Sequence, residues 1–154
     1  MRKSFIRKQI KRGERNGVLI EQDDNFREFE SIYKTFRKGK GLARDSFRVL
    51  KENGILFSAY RKDKIIAGGV FIGDGAYMRA WVLASARLDS REPKEIIGQA
   101  NRMVVWEAMK YAHTNGYEMF DLGGIAPNSK IYGYSTNRLV AEMISTRLPK
   151  EHLL

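Results

Sequence analysis

The sequence predicts an α/β (α+β) domain, with a mainly antiparallel central sheet, one parallel strand pair and flanking helices. Three observations carry this expectation. The β-branched or aromatic runs Ile55–Arg61, Lys64–Ile72 and Ala76–Ala84 are separated only by Lys62-Asp63 and Gly73-Asp74-Gly75, the spacing of an antiparallel meander. An apolar-faced helix follows from about Ile97 to Thr114, and Asn115-Gly116 then leads into a short strand from Tyr117 to Leu122. A strand, a helix and a strand in that order place the last strand parallel to the third strand of the meander through a right-handed crossover.

The remaining elements follow in chain order. Residues 2–16 read as a basic helix in which Phe5, Ile6 and Ile10 share one side, while Arg2, Lys3, Arg7, Lys8, Lys11, Arg12 and Arg15 keep the other sides positive. After Gly17 comes a short strand, Val18 to Glu21. Asp23-Asp24 offers an N-cap for a helix to about Lys38, whose Phe26, Phe29, Ile32, Tyr33 and Phe36 recur at three- and four-residue steps. Lys38-Gly-Lys-Gly41 lacks Walker spacing and reads as a helix stop. A second short helix, roughly Arg44 to Glu52, ends at Asn53-Gly54. Gly68-Gly69 inside the middle strand implies a bulge or a close backbone approach. Residues 125–154 form a closing segment in which Leu139, Val140, Met143 and Ile144 suggest one helix before Pro149.

Composition bounds the function. With 154 residues and 43% apolar content the chain suits a single domain, 1–154, with one core. It has no cysteine and only two histidines, which argues against disulfides, thiolate sites and an ordinary zinc cluster, so no metal is expected. No run of roughly 18 apolar residues occurs, and the expectation is a soluble, cytoplasmic protein. Residues 1–64 hold 18 Lys and Arg against 9 Asp and Glu, whereas 65–154 hold 10 against 9, so nearly all of the net +10 lies in the first part. That asymmetry suits a polyanionic partner such as tRNA on the N-terminal helix, and it also suits a helix that is merely well solvated.

The segment Trp106–Gly124, WEAMKYAHTNGYEMFDLGG, resembles the final helix and strand of Fem-type peptidyl and aminoacyl transferases, a branch of the GNAT superfamily of N-acyltransferases. Arg7–Val18, RKQIKRGERNGV, is similar to that family's basic helix and Gly-Val strand start, and Ile65–Ile72 to its central hairpin strand. The likeness runs in order from about Arg7 to Gly124. It implies a GNAT-like fold in which the two parallel strands splay apart and a donor arm lies in the opening, with the following helix N-terminus favouring a phosphate. The donor it implies is acyl-coenzyme A or aminoacyl-tRNA, and the acceptor an amine. Glu95-Ile-Ile-Gly98-Gln-Ala100 has the layout of the superfamily's phosphate loop, but Glu95 stands where Arg or Gln is usual and would repel a pyrophosphate.

Several residues are candidates for the chemistry. Gly98, Gln99, Ala100 and Asn101 would approach the donor, or Gly98 and Ala100 would only let the helix pack tightly. Glu107 falls on the helix arc formed by Ile97, Ala100, Val104, Ala108 and Tyr111, where a desolvated carboxylate would suit a general base or an ion pair with an arginine. Asp121, at the strand end, would position or deprotonate the amine, or cap the Gly123-Gly124 turn. Tyr132 or Tyr134 would protonate the leaving atom, or pack. Arg79 on the third meander strand faces the opening or solvent. After Gly124 the chain departs from the Fem pattern and is short at both ends. This leaves a minimal domain, a truncated product, or a subunit that completes its sheet through another chain, including a second copy of itself. The expected function is an N-acyltransferase; the alternatives are a non-catalytic basic module that binds RNA or another polyanion, and an inactive fragment of a larger transferase.

Overall fold

A computed structural model describes residues 2–41, 46–88 and 91–122. The basic N-terminal segment forms helix α1 (Arg2–Arg15), followed by strand β1 (Leu19–Asp23), helices α2 (Phe26–Gly39) and α3 (Phe47–Asn53), the meander β2 (Ile55–Arg61), β3 (Lys64–Asp74) and β4 (Tyr77–Ser85), helix α4 (Lys94–Thr114) and strand β5 (Met119–Asp121). The strands make one sheet in the order β1-β2-β3-β4-β5. Neighbours are antiparallel from β1 to β4, and β5 runs parallel to β4. The meander, the crossover and the parallel pair are thus as expected. The closing segment from residue 125 onward, with Tyr132 and Tyr134, lies outside the described residues, as do Gly123 and Gly124.

Each face of the sheet has its own core. On one face Phe26, Phe29, Tyr33 and Leu50 of α2 and α3 pack on Leu56, Val70, Val82 and Ala84. On the other, α4 lays Ile96, Ala100, Met103, Val104 and Ala108 over Phe57, Ile66, Ala67, Phe71 and Met78. Because β3 is covered on both faces, Ile65 to Phe71 are all buried and its apolar run is continuous rather than alternating. Helix α1 packs Ile6 and Ile10 against Val105 and Met109 of α4 and against Leu83, Phe120 and Leu122 at the β4–β5 edge.

Some boundaries differ from the expectation. The N-cap of α2 is Asn25, whose side chain accepts from the Glu28 amide. Asp23 instead ends β1 and is committed to a network: its carboxylate accepts from the Asn25 amide, from Ser58 and from the Tyr60 hydroxyl. Three donors on one carboxylate tie the end of β1 to β2 and to the start of α2. Strand β1 starts one residue later than expected, and Asp23 extends it by pairing with Leu56. Helix α3 starts at Phe47, after a segment outside the described residues.

The β-bulges also fall elsewhere than at the glycines. Ala59 pairs with Ala67 but Tyr60 with Ile65, which leaves Ile66 as the extra residue of β3. Val70 pairs with Val82 but Phe71 with Ala80, which leaves Trp81 as the extra residue of β4. Gly68 and Gly69 lie in regular pairing, and the alternative reading of a close approach applies. A Cβ on Gly68 would sit 2.7 Å from the Phe29 ring, and one on Gly69 would sit 2.6 Å from Leu83.

Two predictions follow from this packing. Gly68→Val drives a branched side chain into the fully buried Phe29 and should lower unfolding free energy by about 1–3 kcal/mol in urea denaturation; an unchanged midpoint would show that the ring yields freely. Burial, reinforced by the Asp23 carboxylate, pushes the Tyr60 hydroxyl up to about 12 from 10.0. The folded state therefore holds this proton more tightly than the unfolded chain, so the associated stability is present below pH 10 and lost as pH rises through 12. Thermal melts from pH 9 to 12 should fall more steeply for the native protein than for Tyr60→Phe; parallel curves would remove Tyr60 as the cause.

Candidate functional site

Three register pairs of the parallel strands β4 and β5 fall among the described residues, which reach Leu122. Tyr77, Met78 and Arg79 of β4 lie opposite Met119, Phe120 and Asp121 of β5. Two residues after Arg79 comes the bulge at Trp81. From Ala80 to Ser85, β4 has no strand partner on its β5 side among the described residues. The bulge changes which way β4 faces: Met78 and Ala80 belong to the α4-side core, whereas Trp81 and Val82 both pack on the α2 side. The bulge therefore re-aims β4 just past the last of its described pairs with β5.

At the far end of this edge stands the N-terminus of α4, held by neighbouring elements. Arg61 donates through Nε to the Asn16 carbonyl and pairs through Nη1 with Glu92, tying the end of β2 to the end of α1 and to the approach to α4. Asn16 Nδ2 donates to Gln99 Oε1 at 2.8 Å. Gly13 lets α1 come close, since a Cβ there would lie 2.3 Å from Met103 Sδ. The Ile96 and Ile97 amides bond to the Pro93 carbonyl, so the first open amides of the helix are those of Lys94 and Glu95. Arg87, Arg91 and Lys94 are exposed around this end.

The four donor-loop candidates lie farther into the helix than the sequence implied. Gly98, Gln99, Ala100 and Asn101 are inside α4, where backbone amides serve the helical ladder. Gln99 is buried, and its side chain links Asn16 to Glu95. Ala100 is fully buried in the sheet-facing core, and Asn101 is half-buried. Gly98 has room: an added Cβ would meet only the end of the Arg102 side chain, at 3.3 Å. Glu95, which should repel a phosphate, is 3.9 Å from Arg12 and accepts from Gln99.

Glu107 and Asp121 are not brought together. Glu107 lines an open cleft of about 450 Å³ between β1 and the second half of α4, with Ile20, Gln22, Phe57, Lys110, Tyr111, Thr114 and Asn115. Its ion-pair partner is Lys110, at 2.5 Å, not an arginine, because the i,i+3 spacing puts the two on one helix face. Asp121 is on β5, at the opposite edge of the sheet. Its neighbour Phe120 packs into the α4-side core, so Asp121 projects from the other face. From β2 to β5 alone the separation is three strand spacings, about 14 Å. The two carboxylates thus lie on different faces and near different edges of the sheet. Tyr132 is outside the described residues, and Arg79, exposed on β4, is the register partner of Asp121.

Sequence reasoning did not single out the Trp81 bulge, because an extra strand residue has no composition of its own. It also missed the Arg61–Glu92 tie, which joins residues 31 positions apart. Among the described residues, no helix is long and apolar enough to cross a membrane and no group of three or more His, Asp or Glu is placed to hold a metal.

No protein-family model matches the chain, and no curated protein matches it by sequence. Solved structures do match in fold. The C-terminal domain of a putative lysylphosphatidylglycerol synthetase from Agrobacterium fabrum superposes with a TM-score of 0.69 at 15% identity, over 92% of this chain and 50% of that one. An aminoglycoside acetyltransferase from an uncultured soil metagenomic sample, solved with sisomicin, matches at 0.57 and 14% identity, over 87% of this chain and 92% of that one. A GNAT family acetyltransferase from Brucella melitensis, solved with acetyl-CoA, matches at 0.52 and 12%, over 77% and 82%. The chain spans about half the length of the synthetase domain it matches. These similarities establish the architecture: the five described strands with one parallel pair and flanking helices form a GNAT-like fold.

Proposed function

We infer that this chain is an N-acyltransferase that moves an acyl or aminoacyl group from a carrier onto an amine. The observation that supports this most is the Trp81 bulge, which re-aims β4 two residues past Arg79, its last described partner of β5. An amide-containing donor arm laid along β4 would satisfy the backbone groups that β5 leaves there. Its phosphates would then reach the open end of α4, where Arg87, Arg91 and Lys94 add positive charge. Arg12 and Gln99 draw the Glu95 carboxylate aside, which lessens the repulsion expected from its position.

The chemistry needs few groups. The free amine attacks the acyl carbonyl carbon; a C–N bond forms as the carrier's C–S or C–O bond breaks. Of the two protons the ammonium loses, one ends on the leaving sulfur or oxygen and the other in solvent. Positioning the two reactants and polarising the carbonyl are the main tasks of the protein. In this scheme Asp121 holds the ammonium and takes its first proton, Gly98 keeps the approach to the donor open, and Tyr132 supplies the leaving atom's proton. Glu107 has no part in it, since it faces the other side of the sheet.

Two donors fit. The acetyl-CoA complex of the Brucella acetyltransferase favours acyl-coenzyme A by analogy of fold. The Fem-type branch, with aminoacyl-tRNA as donor, is favoured by α1, which exposes Arg7, Lys8, Lys11, Arg12 and Arg15 while its apolar side packs at the β4–β5 edge. That placement also supports a second reading, a basic module that binds RNA or another polyanion without turnover. The share of the synthetase chain that is matched supports a third, one part of a larger transferase.

Calorimetry with acetyl-CoA and with aminoacyl-tRNA, at low and moderate salt, separates these readings. Saturable donor binding that is lost in Gly98→Leu, with folding retained, is the expected result; salt-sensitive tRNA binding without product would favour the basic module. With a donor in hand, Asp121→Asn should reduce kcat at least tenfold with little change in KM. Equal loss of folding would instead give Asp121 a structural role.

A further inference from the structure

Among the described residues, the β4–β5 edge carries an exposed shelf on the face away from α4. Tyr77 lies opposite Met119, and Arg79 opposite Asp121. All four side chains point away from α4, because the alternate residues Met78 and Phe120 pack in the core beneath it. Tyr77 and Met119 are large apolar side chains left 55% and 57% exposed side by side, apolar surface on which a ligand's side chain could rest. The shelf lies beside the bulge of β4 at Trp81.

We propose that this shelf seats the acceptor, and that the acceptor is a small zwitterionic amine with a bulky apolar side chain, the chemistry of an apolar or aromatic α-amino acid. The inference rests on the transferase reading for the position of the reacting carbonyl. The charges are complementary: the Asp121 carboxylate takes the ammonium and the Arg79 guanidinium takes the acceptor's own carboxylate. Their strands are neighbours about 4.8 Å apart, so both charged groups can reach an ammonium and a carboxylate borne on one carbon. Tyr77 and Met119 lie two residues back along each strand, about 6.6 Å away, where the acceptor's side chain would rest. Asp121 already has an interaction within the chain, and the ammonium exchanges with it. A polyamine would set its extra positive charges against Arg79 and find no use for the apolar pair. An amine without a carboxylate would forgo Arg79.

The test is an NMR titration of protein labelled at its methionine methyls with L-phenylalanine, phenethylamine and spermidine, repeated with acetyl-CoA present. The expected result is that phenylalanine shifts the Met119 methyl and binds at least tenfold more tightly than phenethylamine, with spermidine leaving that methyl unmoved. Arg79→Gln should erase the preference for phenylalanine over phenethylamine, and Arg79→Lys should keep part of it. Spermidine binding at Met119 as tightly as phenylalanine, no response to phenylalanine, or a preference unchanged in Arg79→Gln would each overturn the assignment. The acetyl-CoA arm is read separately: phenylalanine at Met119 without any donor binding would contradict the transferase reading and leave the shelf's ligand class standing.

Discussion

The packing of α4 against the sheet gives every other part of the site its place. Its inward side is built of Ile97, Ala100, Val104 and Ala108, each 1% exposed or less, so the helix lies low on the strands. Fully burying the larger of these side chains contributes about 1.5–3 kcal/mol each. The length of α4 then decides where β5 begins. A helix of 21 residues returns the chain over about 32 Å. The nine residues of β4 span about 30 Å. The match brings Met119 level with Tyr77, at the start of β4, and leaves the rest of β4 beyond the end of the described pairing.

The same packing divides the chemistry between faces. Helices α1 and α4 lie together on one face, with Gly13 allowing their close contact and Asn16, Gln99 and Arg61 tying their ends. This crowded face carries the positive charge of α1. The opposite face at the β4–β5 edge carries the exposed residues Arg79, Asp121, Tyr77 and Met119. Under the proposed function, a carrier with a polyanionic body and a small acceptor would meet different residues. The cleft at Glu107 belongs to neither approach. It is the part of the β1–β2 surface that α4 does not cover.

Much of the architecture was legible in the sequence because it rests on local signals. Strand runs broken by Lys62-Asp63, both at positive φ, and the long periodic helix before Asn115-Gly116 each report a backbone state through nearby residues. The fold of the meander and the direction of β5 then follow from chain connectivity. The site was less legible because it depends on relations between distant positions. Glu107 and Asp121 are equally plausible carboxylates in the sequence, and only strand alternation together with sheet order reveals that they sit on opposite faces. Gln99 looked like a donor contact, whereas its amide is held by Asn16, 83 residues away. The Trp81 bulge arises from register between β3 and β4, which no single run of residues encodes. Asp23 could be recognised as a turn residue, but its three donors include two from β2.

The central claim is that the donor lies along β4 beyond its last pair with β5. The most direct measurement is a map of backbone amide shifts on addition of acetyl-CoA and, separately, of an aminoacyl-tRNA. The account predicts that the largest shifts for the donor that binds fall on Ala80 to Ser85, on Asp121 and Leu122, and on the first turn of α4. Shifts confined to the exposed basic residues of α1, or to the cleft lined by Ile20, Phe57 and Glu107, would contradict it.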